Sequence, residues 1–118
     1  MNIGGYLDEV LAKFASEQAT EHSYRPALEA LFRSIDPTLD VINEPRRVAV
    51  GAPDFIFSRG PVPIGWCEAK DVDKDVRALK GYSVEQKQRY VKAFPNLIYT
   101  NGIDFDFIRD GLPTLLEL

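Results

Sequence analysis

The sequence predicts an α/β domain in which a mixed central β-sheet is flanked by helices, and three observations lead to it. Apolar residues recur at helical spacing through the first third of the chain. Two aromatic-rich runs separated by glycine and proline follow, and an Asn-Gly dipeptide near the end joins two further runs of strand character. With 118 residues, 45% hydrophobic and 11% aromatic, the chain can bury one core, so residues 1–118 are read as a single domain.

The elements follow in order. Tyr6, Leu7, Val10, Leu11, Phe14 and Ala15 predict an amphipathic first helix from Gly4 to about Glu17. Tyr24, Leu28, Leu31, Phe32 and Ile35 form the apolar stripe of a second, which starts at Thr20 or Ser23 and ends at Asp36-Pro37. Pro26 argues for the later start, because proline is comfortable only near a first turn. Val41 to Glu44 reads as a strand. Asp54–Ser58 and Ile64–Lys70 read as an antiparallel pair across the connection 59–63. Ser83-Val84-Glu85-Gln86 forms a capping box that opens a third helix. Leu97–Thr100 and Ile103–Ile108 make a hairpin around the two-residue turn Asn101-Gly102. Asp104 and Asp106 alternate with Phe105 and Phe107 and are assigned to its solvent face. The tail from Leu112 to Leu118 is given no element and reads as a place where a larger protein continues.

Chemistry concentrates at Pro53-Asp54-Phe55 and, thirteen residues beyond the aspartate, Glu68-Ala69-Lys70. Strand side chains alternate faces, so Glu68 and Lys70 project to one side and Cys67 and Ala69 to the other. Two carboxylates and an ammonium then gather where hydrated Mg²⁺ can be held against a phosphodiester, an ester whose uncatalysed hydrolysis is among the slowest in water. Gly51 and Ala52 would let metal or nucleic acid approach the backbone. The pattern resembles the PD-(D/E)xK phosphodiesterases. Gln86-Lys87-Gln88-Arg89-Tyr90 has the Q-x-x-x-Y form and resembles the additional helical motif of their RecB-like branch. Residues four apart share a helix face, so Gln86 and Tyr90 are expected toward the strands, with Lys87 and Arg89 near phosphates.

Longer segments, 20–28, 51–55, 67–71 and 95–101, are similar to the amino-terminal nuclease module of single-chain restriction-modification enzymes, both type I-like and type II. That resemblance implies a restriction-endonuclease-like core with DNA as substrate, Mg²⁺ as cofactor and Mn²⁺ as substitute. Methyltransferase, target-recognition and helicase domains would lie elsewhere in the same protein or complex, and a transient dimer would make double-strand cuts. Asp54, Glu68 and the Ala69 carbonyl would hold metal, Lys70 would stabilise charge, and Gln86 and Tyr90 would position the scissile strand. The family also places an acid on a helix near the metal. Glu21 falls roughly 20° from Leu28 on the apolar stripe and Glu29 roughly 100° away, so Glu21 is preferred. No phosphate-loop or Asn-Pro-Pro-Tyr motif is present, which leaves only the nuclease part.

Composition narrows the class. One His and one Cys do not make a zinc site, so the metal must be held by oxygen. Cys67 reads as a buried small hydrophobe. No apolar run reaches membrane-spanning length and the start is not a secretory signal, so no membrane partner and a cytoplasmic location are expected. With 18 acidic and 14 basic residues, net charge −4, weak intrinsic DNA affinity is expected. The cations cluster at Arg46 and Arg47 before the site and at Lys80, Lys87, Arg89 and Lys92 on or beside the third helix. A stand-alone repair or Holliday-junction nuclease and a non-catalytic interaction module are the alternatives. Removing either Asp54 or Glu68 is expected to leave metal-free stability level or raise it, by relieving anion repulsion.

Overall fold

In the computed structural model, which describes residues 2–16, 21–43 and 50–118, helix α1 (Ile3–Phe14) is opened by Asn2, whose side chain accepts from the Gly5 N–H at 2.7 Å. Helix α2 spans Glu21–Ile35, so it begins before Ser23 and carries Pro26 in its second turn. Pro26 has no N–H to offer the His22 carbonyl, and both residues are exposed. Strands β1 (Asp40–Asn43), β2 (Phe55–Arg59) and β3 (Val62–Ala69) form an antiparallel meander. Helix α3 (Tyr82–Ala93) lies in the crossover to β4 (Asn96–Thr100), which runs parallel to β3. Strands β5 (Asp104–Arg109) and β6 (Leu112–Glu117) complete a six-stranded mixed sheet in the order β1-β2-β3-β4-β5-β6. Three helices flanking one mixed sheet is the expected α/β class and is compatible with a restriction-endonuclease-like core.

Each face of the sheet buries its own cluster. Tyr6, Val10, Tyr24, Leu28, Leu31 and Phe32 of α1 and α2 cover Phe55, Phe57, Cys67, Ala69 and Phe105. On the other side Val76, Tyr90 and Phe94 cover Leu97, Tyr99 and Ile108, with Trp66 packed against them. Helix α1 is fastened to the β4–β5 turn by Tyr6, whose hydroxyl donates to the Gly102 carbonyl at 2.7 Å. The alternation of β3 therefore sends Cys67 and Ala69 toward α1 and α2, and Glu68 toward α3.

Covering the second face overturns one expectation and relocates others. Asp106 is not on a solvent face: it is 2% exposed, and its carboxylate accepts from Lys87 Nζ of α3 at 2.8 Å. Helix α3 starts at Tyr82 after Gly81, with no side-chain cap, so the Ser83–Gln86 capping box does not form. The β2–β3 connection contracts to Gly60 and Pro61. The β4–β5 turn takes three residues, because the Asn101 side chain accepts from both the Ile103 and the Asp104 N–H. The tail is a strand, held as β6 against the whole of β5. Its alternation is obscured by four leucines and a proline. Glu17, Thr20 and Glu44, predicted at element ends, lie outside the described residues.

Lys87→Ala should destabilise the protein by about 3–5 kcal/mol, because it leaves a buried carboxylate without its cation. The double replacement Lys87→Met/Asp106→Leu should recover most of that loss. Denaturant melts of the three proteins in EDTA check both outcomes.

Candidate active site

Asp54 and Glu68 meet because β2 and β3 pair with Phe55 opposite Cys67, which brings the residues just beyond that pair side by side. Each carboxylate is then fixed by the other strand. The Asp54 N–H donates to Glu68 Oε1 at 3.2 Å, and the Ala69 N–H donates to Asp54 Oδ2 at 2.8 Å. Lys70, the first residue after β3, places its ammonium 3.5 Å from Glu68 Oε2. Its backbone is secured at both ends: its N–H donates to the Thr100 carbonyl at 2.8 Å, and its carbonyl accepts from the Tyr24 hydroxyl.

Gln86 reaches this group from α3. Its Nε2 donates to Glu68 Oε2 at 3.0 Å, while its Oε1 accepts from the Tyr99 hydroxyl at 2.9 Å. Burial first, and the charge of Glu68 next, push the Tyr99 phenol up, so it serves as a neutral donor. A donor on one side and a carboxylate on the other decide which way the Gln86 amide faces. Tyr99 lies opposite Glu68 on the parallel neighbour and opposite Asp106 on the antiparallel one. The Lys70 and Lys87 ammonium groups lie 5.9 and 5.3 Å from its ring centre. A polar row thus crosses three strands beneath α3.

Burial first, and then the charge of Asp54, push the Glu68 carboxyl up to a pKa of about 7, against Lys70, the Gln86 amide and the Asp54 N–H. Asp54 has a different environment. Its Oδ1 accepts from the guanidinium of Arg25 on α2, and the two side chains are only 9% and 13% exposed. Cys67, next to Glu68 in the chain, is buried with its thiol pushed up by that burial and by both carboxylates. It is a packing residue.

The structure brings Asp54, Glu68, Ala69, Lys70 and Gln86 together. Tyr90, expected at the DNA, is 2% exposed, and its ring packs on Phe94 and over Gly51. Gly51 has φ 129°, and a Cβ there would lie 2.6 Å from the Tyr90 hydroxyl, so this glycine makes room for the tyrosine rather than for a ligand. Lys87 turns inward to Asp106 and the Val76 carbonyl. Arg89 donates to the Val50 carbonyl at 2.7 Å and to Glu85. Arg46 lies outside the described residues, as does the Glu21 side chain, although Glu21 is in α2 one turn before Arg25. Glu29 is on the flank, 3.4 Å from Arg33.

Two residues of the site escape sequence reasoning. Arg25 stands beside Pro26 within the segment 20–28 and is assigned no role by the sequence. A local signal is its position four residues after Glu21, which puts the two on one helix face. Tyr99 carries no signal, since its place depends on parallel pairing of β3 with β4. Among the described residues no three Asp, Glu, His or Cys side chains gather as a ligand set. The two carboxylates still suit Mg²⁺, which takes one or two protein carboxylates and fills its octahedron with water and phosphate oxygen. A raised Glu68 pKa and a cation already seated on Asp54 both mark a place that favours positive charge.

These environments separate the two carboxylates in the metal-free protein. Glu68 folds with a raised pKa, so its contribution to stability is full below the ordinary glutamate range and is lost as pH rises through about 7. Glu68→Gln should therefore raise the melting temperature in EDTA at pH 8, and the gain should shrink toward pH 5. Asp54→Ala should depart from the expectation of level or raised stability. It takes one carboxylate partner from a largely buried guanidinium and should cost about 1.5–3 kcal/mol. Thermal and denaturant melts across pH test both.

No family model matches the chain, and no curated protein matches it. One solved structure, a cryo-electron microscopy structure of a DrdV–DNA complex, superposes on 95% of this chain with a TM-score of 0.73 at 17% sequence identity. The matched part is 12% of that chain's length. Likeness at this identity is likeness of fold: the same α/β core recurs as a small part of a much longer chain.

Proposed function

We propose that this chain is the cleavage domain of a larger restriction-modification enzyme and hydrolyses DNA phosphodiester bonds with Mg²⁺ or Mn²⁺. The observation that carries the reading is the locked carboxylate pair. Asp54 and Glu68 hold each other's strand through backbone N–H groups, with the Lys70 ammonium 3.5 Å from Glu68. Asp54, Glu68 and the Ala69 carbonyl would hold the cation, with Glu21 as the acid contributed by α2. A bound divalent cation supplies polarisation of the phosphate and a water acidic enough to attack at neutral pH.

The chain's own groups do the rest. Gln86, braced by Tyr99, keeps one Glu68 oxygen turned toward α3 and leaves the other toward Asp54. Lys70 would donate to a phosphate oxygen as negative charge grows on it. Tyr90, Lys87 and Arg89 act through position: they hold α3 to the segment at Val50-Gly51 and to β5, and so keep Gln86 at the site. DNA is favoured as substrate by the neighbour of the same fold, which was captured as a DNA complex. With net charge −4, the domain's DNA affinity would come from attached target-recognition or helicase domains, and double-strand cleavage from transient pairing of two such domains.

Plasmid cleavage with Mg²⁺ or Mn²⁺ should disappear in EDTA and fall on the order of 100- to 1,000-fold in Lys70→Ala. Glu21→Gln should lose at least about tenfold, and Glu29→Gln little. Wild-type protein that folds, is loaded with Mn²⁺ and still cuts no DNA would leave the interaction-module alternative standing. Fusion to an unrelated sequence-specific DNA-binding domain should direct cleavage to that domain's site at physiological salt, where the isolated chain cuts slowly. Efficient cutting of one sequence by the isolated chain would show instead an autonomous enzyme.

A further inference from the structure

Arg25 has no place in the hydrolytic reading above, and its position is unusual for an arginine on a helix surface. It is 8% exposed, follows Tyr24, which docks α2 on the Lys70 carbonyl, and directs its guanidinium at Asp54 Oδ1. The other Asp54 oxygen is engaged by the Ala69 N–H, and both Glu68 oxygens have donors of their own in the Asp54 N–H and Gln86. The open carboxylate oxygen of the pair is therefore the one that Arg25 covers.

We infer that Arg25 is a built-in competitor of the catalytic cation: its guanidinium occupies the cation position on Asp54 in the metal-free protein and must leave for a divalent ion to enter. A guanidinium and a divalent cation repel strongly at one carboxylate oxygen in a site this dry, so the two states exclude each other. The arrangement has two consequences. The metal-free site is held together by its own counter-ion rather than by solvent, and every ion that binds does so against the free energy of the Arg25–Asp54 pair. Loading is weaker than the carboxylates alone would give. The inference rests on the metal-dependent reading of the site.

The test needs no DNA and no turnover. Wild-type chain, Arg25→Gln and Arg59→Gln are titrated with Mn²⁺, and the free ion is followed by its electron paramagnetic resonance signal. Arg59 pairs with Asp36 at the solvent-exposed end of β2, so its replacement changes net charge equally without touching the site. Arg25→Gln should bind Mn²⁺ at least about tenfold more tightly than wild type, the ratio expected when about 1.4 kcal/mol of opposition is removed, and Arg59→Gln should match wild type. Equal or weaker binding by Arg25→Gln, with wild type still binding, overturns the competitor and leaves the metal site standing. Failure of both proteins to bind Mn²⁺ at millimolar concentration overturns the metal-dependent reading as well. If Arg25→Gln does not fold, wild-type protein decides the matter by nuclear magnetic resonance. Mg²⁺ must shift the Arg25 Nε–Hε signal and hasten its exchange with water, and a signal that stays fixed while the Asp54 and Ala69 amides move overturns the inference.

Discussion

Two carboxylates at neighbouring strand ends repel each other, and the centre of the chain is arranged around that repulsion. Asp54 and Glu68 are held together by backbone N–H groups of the opposite strand, which compensate part of the charge and fix the geometry. What remains is met from both layers of helices: α2 sends Arg25 to Asp54, and α3 sends Gln86 to Glu68. The two answers are unequal. Arg25 pairs with Asp54, while Glu68, despite the Lys70 ammonium 3.5 Å away and the Gln86 amide, is pushed up by its burial and by Asp54 and so favours a proton or a cation.

The same sheet explains why α3 is so firmly tied down. A helix in a parallel crossover must cover the strands it connects. This one does so with an apolar cluster around Tyr90 and Phe94 and with a buried Lys87–Asp106 pair. Gln86 and Lys87 are adjacent in sequence and diverge to different partners on either side of Tyr99. The position of the amide at Glu68 is thereby set by contacts on β5, two strands away.

Much of the core motif was legible because it is local. A period of two along one strand separates Glu68 from Cys67 and Ala69, and a short connection makes the Asp54 strand its partner. Gln86 was legible from helical spacing, although the competing capping role proved empty once Gly81 took the start of α3. Arg25, Tyr99 and the buried side of Asp106 were not legible, because each depends on which remote element covers which face. Alternation states that Asp106 and Phe107 face opposite ways, but only the position of α3 decides that the aspartate's side is the dry one. The strand β6 was hidden for a simpler reason: its run of leucines has no polar alternation to mark it.

The pairing of Arg25 with Asp54 also bears on how such a site can decay. A domain that no longer cuts DNA is freed from keeping its ligands for chemistry, yet single loss of Asp54 would take a carboxylate from a largely buried guanidinium. Drift at one position is then coupled to the other, since neighbours of this kind do not act independently. An aspartate at position 54 in a sister sequence is thus evidence of catalysis only when read with position 25. A sister with the aspartate and a small neutral residue at 25 has lost the structural reason to keep it, and there the carboxylate speaks for function.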